Sequence, residues 1–186
     1  MKPILNILLL LLFSACEKSE NIPVVWSEKD SQLEIHNGVL YHQNSKFTGV
    51  LKSFDAVNLT NNTVRYLHGR KEGEERKVYQ NNELAEVRFY RSGVKIGTHK
   101  SWRANRQQKF EYPYNNSGVY HGTVKEWYPD GQLLKEFHYF EGKEVGTQKM
   151  WAANGNIKAN YTVVNGERFG LIGLKKCYSV PTKDEY

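Results

Sequence analysis

The residues with catalytic potential do not fall into catalytic patterns. Six histidines (His36, His42, His68, His99, His121 and His138) are scattered along the chain, none in H-E-x-x-H or at another paired spacing that suits a metal ion. There is no G-x-S-x-G nucleophile elbow and no glycine-rich phosphate loop. Carboxylates such as Glu126 and Glu136 fall in separate strand-like segments without recurring partners, which reads as solvated strand faces. The expectation is a protein that is no enzyme and takes no cofactor and no metal. What does recur suits binding. Phe54, Trp102, Trp127 and Trp151 return at close to one interval, with Lys52, Lys100, Lys125 and Lys149 always two residues ahead. Aromatic rings serve as anchors and cations steer an acidic partner. The lysine stems can also lie across the rings while their heads stay in water.

The elements that position these columns follow from an internal period. Gly49, Gly73, Gly97, Gly122, Gly146 and Gly170 are separated by 24, 24, 25, 24 and 24 residues. Five of them follow a second glycine by four positions (Gly69, Gly93, Gly118, Gly142, Gly166), and Ser45 stands there in the first copy. Arg76 continues the basic column in the second copy, where Tyr79 comes one place late for the aromatic one. Tyr66, Tyr90, Tyr114, Tyr139 and Val163 form a further column, seventeen residues after the glycine. Searching for such periods precedes any assignment of elements.

The cleanest unit runs from Gly122 to Gly146. Thr123 to Tyr128 is rich in strand formers, Pro129-Asp130-Gly131 is a turn, and Leu133, Lys135, Phe137 and Tyr139 alternate along a return strand. Glycine turns every 8–12 residues predict an all-β chain. The expected fold is an elongated, antiparallel, single-layer sheet of about six hairpins of 24 residues each. Side chains alternate between the faces of a strand. Thr98, Lys100 and Trp102 therefore share a face, as do Thr123, Lys125 and Trp127, and Thr147, Lys149 and Trp151. An aromatic column is expected to run beside a cationic one.

The ends read differently. In this chain of 186 residues, the longest apolar run, Ile4 to Phe13, is too short to span a bilayer as a helix, which needs roughly 17–25 residues. Its two cysteines are too few for a disulfide scaffold. Met1-Lys2, the apolar run and Ser14-Ala15 lay out a secretory signal. The stretch Leu12-Phe13-Ser14-Ala15-Cys16 resembles a bacterial lipobox, which implies that Cys16 is lipidated and becomes the first residue. The expected organisation is a signal peptide over 1–15, a lipidated tether over 16–27, the repeat domain over 28–175 and a tail over 176–186. Cys177 receives no role. The formal charge of +6 and a pI near 9.2 fit a basic patch, but an exported chain does not meet nucleic acid in normal work.

The glycine pairs, the aromatic five places on, the turn, and the second strand with its tyrosine resemble MORN repeats over about residues 37–172. They are most similar to the variant found in bacterial YwqK-type antitoxin proteins. Gly38-Val39-Leu40-Tyr41 followed by Phe47-Thr48-Gly49 resembles the opening of that family. This chain departs from the pattern with Ser45, Asn58, Asn82 and Arg106 where glycine is commoner, and with one extra residue before Gly118. The expected function is a non-catalytic, membrane-anchored scaffold of the bacterial cell envelope. It would bind another envelope protein through Phe54, Trp102, Trp127, Trp151, Lys100, Lys125 and Lys149. The resemblance also implies an alternative, an antitoxin or immunity protein whose partner is a cognate toxin.

Overall fold

The computed structural model describes residues 22–173. The leader, Cys16, Cys177 and the 176–186 tail lie outside the described residues. Within them the chain is all strand and turn. The first strands are β1 (Val24–Trp26), β2 (Leu33–His36), β3 (Val39–His42), β4 (Ser45–Lys46), β5 (Gly49–Asp55) and β6 (Thr60–Leu67). Next come β7 (Arg70–Tyr79), β8 (Leu84–Arg91), β9 (Val94–Trp102), β10 (Gln108–Tyr114) and β11 (Gly122–Trp127). The last are β12 (Leu133–Phe140), β13 (Lys143–Glu144), β14 (Gly146–Trp151), β15 (Ile157–Val164) and β16 (Glu167–Leu171). From β5 to β16 the strands form one antiparallel meander in sequence order, with β13 set off the path beside β12. The hairpin array expected from the 24-residue period is what the chain builds.

The N-terminal end differs from expectation. Val24–Trp26, placed in the tether by the sequence, pairs in parallel with Val50, Leu51 and Lys52 of β5. Two valines and a tryptophan have high strand propensity, and the free edge of β5 offers them hydrogen bonds. A parallel pair needs a long crossover. Here β2, β3 and β4 supply it as a separate small sheet. That sheet packs against the turn at His68-Gly69, where Leu40 N–H donates to the Gly69 carbonyl at 2.8 Å and Gly69 N–H to that of Phe47 at 2.7 Å. A side chain at position 69 would come within 2.6 Å of the Leu40 carbonyl, so glycine is required there for space as well as for its φ of 79°.

Two kinds of turn alternate. At one end of the hairpins, His68-Gly69, Ser92-Gly93, Glu141-Gly142 and Asn165-Gly166 each place two successive residues at positive φ. That is the two-residue turn matching the twist of antiparallel strands. The extra residue before Gly118 is absorbed by a longer loop, in which the Asn115 carboxamide oxygen accepts from Ser117 and Val119 N–H groups. At the other end, Asn82, Arg106, Gly131 and Gly155 hold the left-handed position of longer turns, so Asn82 and Arg106 fill the glycine role at φ 65° and 67°. In the first hairpin that position belongs to Leu59 and not to Asn58, and in the β3–β4 hairpin the turn is Gln43-Asn44 and not Ser45.

Four of the five long turns are followed by a one-residue bulge, at Ala85, Lys109, Leu134 and Lys158, and the first, between β5 and β6, is not. The bulge sets Leu133 opposite Trp127, away from the face of Lys135, Phe137 and Tyr139 on which simple alternation put it.

The two faces of the sheet are unequal. Val64, Tyr90, His99, Ser101, Val124, Phe137, Gln148, Ala159 and Tyr161 are buried, and their cross-strand register places all of them on one face. There large side chains from adjacent strands cover their neighbours: Tyr90, His99, Tyr114, Tyr120 and Tyr139 follow one another with ring centroids 4.7–5.6 Å apart. The tyrosine column seen in the sequence is this core. The opposite, open face carries Trp102, Trp127 and Trp151 with Lys100, Lys125 and Lys149.

Candidate functional site

The open face is organised in rows that cross the strands. The first row pairs Lys100 with Glu111, Glu111 with Lys125, Lys125 with Glu136, and Glu136 with Lys149. Lys100 Nζ lies 3.4 Å from Glu111, and Lys125 Nζ 3.3 Å from Glu136. The expected cationic column is therefore corrected to a ladder of alternating charge. Strands run in opposite directions, so every second position of the row comes from a return strand, and two of these carry glutamate. Nor is Glu136 without partners, as the sequence suggested, and Glu126 lies 3.5 Å from Lys135 on the core face. Opposite charges directly across a sheet contribute about 0.2–1 kcal/mol each. Toward β5 the row continues through Val87, Arg76, Thr63 and Lys52, with Arg76 held by Glu74 at 3.3 Å.

The second row lies one step nearer the long turns. Its pairs are Phe54 with Asn61, Asn61 with Val78, Val78 with Leu84, Trp102 with Gln108, Trp127 with Leu133, and Trp151 with Ile157. The three tryptophans are half-buried, while Phe54 is exposed. This is an apolar ridge interrupted by two carboxamides. Val78 fills the aromatic position of its repeat. Tyr79 is therefore not a displaced member of the tryptophan column.

Tyr79 has a different task, which the sequence did not reveal. Its hydroxyl donates to the Trp102 carbonyl at 2.9 Å. Arg103 Nη2 donates to the Trp127 carbonyl at 2.8 Å, and the Tyr128 hydroxyl to that of Trp151 at 2.9 Å. All three donors stand six residues after a glycine, and each reaches the tryptophan of the next repeat. The backbone under these three tryptophans is thereby tied to its neighbour. The signal was present as a column of long hydrogen-bond donors, obscured because Tyr and Arg share no residue type.

A second set of residues was also missed. Leu51, Glu75, His99, Val124 and Gln148 stand two residues after their glycines, on the core face. Of these, Gln148 accepts from His138 N–H at 2.9 Å and donates to the His138 and Val145 carbonyls at 2.9 and 2.8 Å. His99 Nε2 donates to the Phe89 carbonyl at 3.0 Å. Burial pushes the His99 imidazole below its usual pKa, which keeps it neutral. Burial alone would raise the Glu75 carboxyl, but Lys71, 2.7 Å away, outweighs it and the group stays below its ordinary value. Burial likewise raises the core tyrosines, Tyr90 and Tyr161 to about 12. Glu75 and Tyr90 meet on this face, where the Glu75 carboxyl also raises the Tyr90 hydroxyl.

The expected site residues thus separate clearly. Trp102, Trp127 and Trp151 lie in one row with Phe54 farther along it, and Lys100, Lys125 and Lys149 lie in the adjacent row, shared with two glutamates. Among the described residues, no three His, Cys, Asp or Glu side chains are grouped in a way that would hold a metal ion.

Residues 120–141, which span β11, its turn and β12, match the family described as MORN repeat variant. That hairpin is similar to a MORN repeat variant, and its neighbours share its glycine register. MORN repeats generally act as protein- and membrane-interaction repeats. No curated protein matches the chain.

Proposed function

We propose that this protein is a non-catalytic scaffold of the bacterial cell envelope, held at a bilayer by a lipid on Cys16, that binds another envelope protein through the open face. The observation that carries this reading is the apolar ridge of Trp102, Trp127 and Trp151 with Leu133 and Ile157, lying on a sheet face that no second layer of the described chain covers. Half-buried aromatic rings on a fixed backbone bind with little loss of side-chain freedom. The staples from Tyr79, Arg103 and Tyr128 fix that backbone. The ladder contributes orientation more than affinity, because Glu111 and Glu136 already engage its lysines.

The test starts with crosslinking in intact cells, with the crosslinker placed at position 133, to identify the partner. Affinity is then measured for the purified pair. Replacing Trp127 and Trp151 by Ala should weaken binding by tenfold or more, and replacing Lys125 and Lys149 by Ala by less than threefold, with each variant's melting temperature recorded. Equal affinities for all four variants would remove the ridge as the binding surface. A mature first residue without acylation would remove the anchor.

A further inference from the structure

The core face carries a second feature, distinct from the ridge. Across most of the sheet the row nearest the long turns is filled. Phe110 stacks on Tyr112 with ring centroids 4.3 Å apart, Glu126 pairs with Lys135, and Met150 follows. Toward β6 that row continues through Ser101, Glu86, Lys77 and Asn62, and beside it, where the small residues Thr60, Ala85 and Ser101 come together, a cleft of about 180 Å³ opens between β6 and β10. Its floor is buried: Thr60 is 2% exposed, Ala85 and Ser101 5% each. Two bulges shape it. Ala85 is the extra residue of β8, and Lys109 that of β10, which takes the Lys109 side chain out of the strand's alternation and onto the rim.

The polar groups around the cleft divide by whether they are already engaged. Asp55 accepts from the N–H groups of Val57 and Asn58 and from the Asn58 carboxamide. Glu86 is paired with Arg88. Ser101 donates its hydroxyl to the Ala85 carbonyl at 2.9 Å, and Tyr79 and Arg103 are committed to backbone carbonyls. Beside the Glu86 carboxylate, whose Oε1 also lacks a hydrogen-bond partner, the groups left over are donors. The Thr60 hydroxyl is buried without a hydrogen-bond partner, a costly arrangement unless something accepts from it. Lys77 forms an ion pair with Glu86 at 4.0 Å, a separation beyond hydrogen-bond reach that leaves its N–H groups able to donate. Lys109 makes no ion pair among the described residues.

We propose that this cleft binds a small oxyanion, the carboxylate or phosphate group of a small molecule, with the Thr60 hydroxyl, Lys77 and Lys109 as donors. The bound group would satisfy the orphaned hydroxyl and lie between two ammonium groups, where charge-assisted hydrogen bonds are the strong ones. The site opens on the face opposite the tryptophan ridge, so both can be occupied together.

The experiment is titration of the full, isotope-labelled chain with inorganic phosphate, acetate and glucose, followed by amide chemical shifts. Saturable shifts centred on Thr60, Ser101 and Lys109 are expected with phosphate or acetate and not with glucose. The stronger of the two anions identifies the group. Thr60→Val and Lys109→Gln should each weaken binding about tenfold. Thr60→Val removes an unpartnered hydroxyl at nearly constant shape and Lys109 is exposed, so both variants should melt at or above the parent temperature. Shifts that do not saturate, equal response to glucose, or unchanged affinity in either variant would overturn the proposal.

Discussion

Gln148 gives the sharpest test of how the repeats are joined. It is fully buried, at 0% exposure, where β12 leaves β13 and takes up β14. The ladder is interrupted at Val145, and the carboxamide bridges the gap. Replacement by Met keeps the length of the side chain and removes both functions. The His138 N–H then loses its acceptor, while the His138 carbonyl keeps the Val145 N–H at 2.9 Å and the Val145 carbonyl loses its donor. A buried N–H left unpaired costs about 1–3 kcal/mol, and a carbonyl that loses one donor costs less. The more apolar methionine recovers about 1 kcal/mol, leaving a net loss of roughly 2 kcal/mol. For a domain of this size that corresponds to a fall of about 4–8 °C in melting temperature. Amide exchange gives the local readout. His138 should lose protection in Q148M while Lys135 and Glu136, paired backbone to backbone with Met150 and Lys149, keep theirs. A melting temperature within a degree of the parent, with His138 still protected, would refute the reasoning.

Two further outcomes follow from the same geometry. His99 occupies the place of Gln148 one hairpin pair earlier, and both donate to the carbonyl ten residues before them. Because its folded-state pKa is depressed below 6.5, the unfolded chain takes up the proton first, so stability should fall as pH drops below about 6.5. His99→Gln should keep the donor and flatten that slope in urea titrations at pH 7.5 and 6, and an unchanged slope would assign it to other groups. Leu59 is exposed and held at φ 52°, where a side chain costs about 1–2 kcal/mol. Leu59→Gly should raise the melting temperature by 1–3 °C, since the entropy lost to glycine is roughly half that penalty; a decrease would count against strain at this turn.

What the sequence disclosed was whatever repeats by residue type. The glycines, the tryptophans and the tyrosine column recur as letters, and they placed the hairpins and assigned Trp102, Trp127 and Trp151 to one face with Lys100, Lys125 and Lys149. Glu111 and Glu136 were missed as members of the lysine row because they lie on return strands. Matching them to Lys100 and Lys125 requires knowing that each hairpin carries a bulge at Lys109 or Leu134. The positions holding Glu75, His99, Val124 and Gln148 were missed for another reason. Burial is their shared property, and it is met by an acid, an imidazole, an aliphatic group and a carboxamide in turn. The parallel strand Val24–Trp26 was hidden because three residues show no period.

A single-layer sheet has to be stabilised without a second layer, and the two faces divide that work. The core face does it by covering small residues with tyrosines, which leaves little room except where Thr60, Ala85 and Ser101 come together. The open face carries no comparable cover, so its rigidity comes from the hydrogen bonds at the ends of the hairpins. Gly69, Gly93 and Gly142 N–H groups each donate to the carbonyl of the residue 22 positions earlier, at 2.7–2.8 Å. At the far end Tyr79, Arg103 and Tyr128 tie the backbones of Trp102, Trp127 and Trp151 to the previous repeat. With both ends tied, equivalent side chains on neighbouring repeats are held about 9–10 Å apart, two strand spacings. A partner surface must meet the tryptophans at that interval, so cutting one staple should disturb binding at the ridge before it unfolds the sheet.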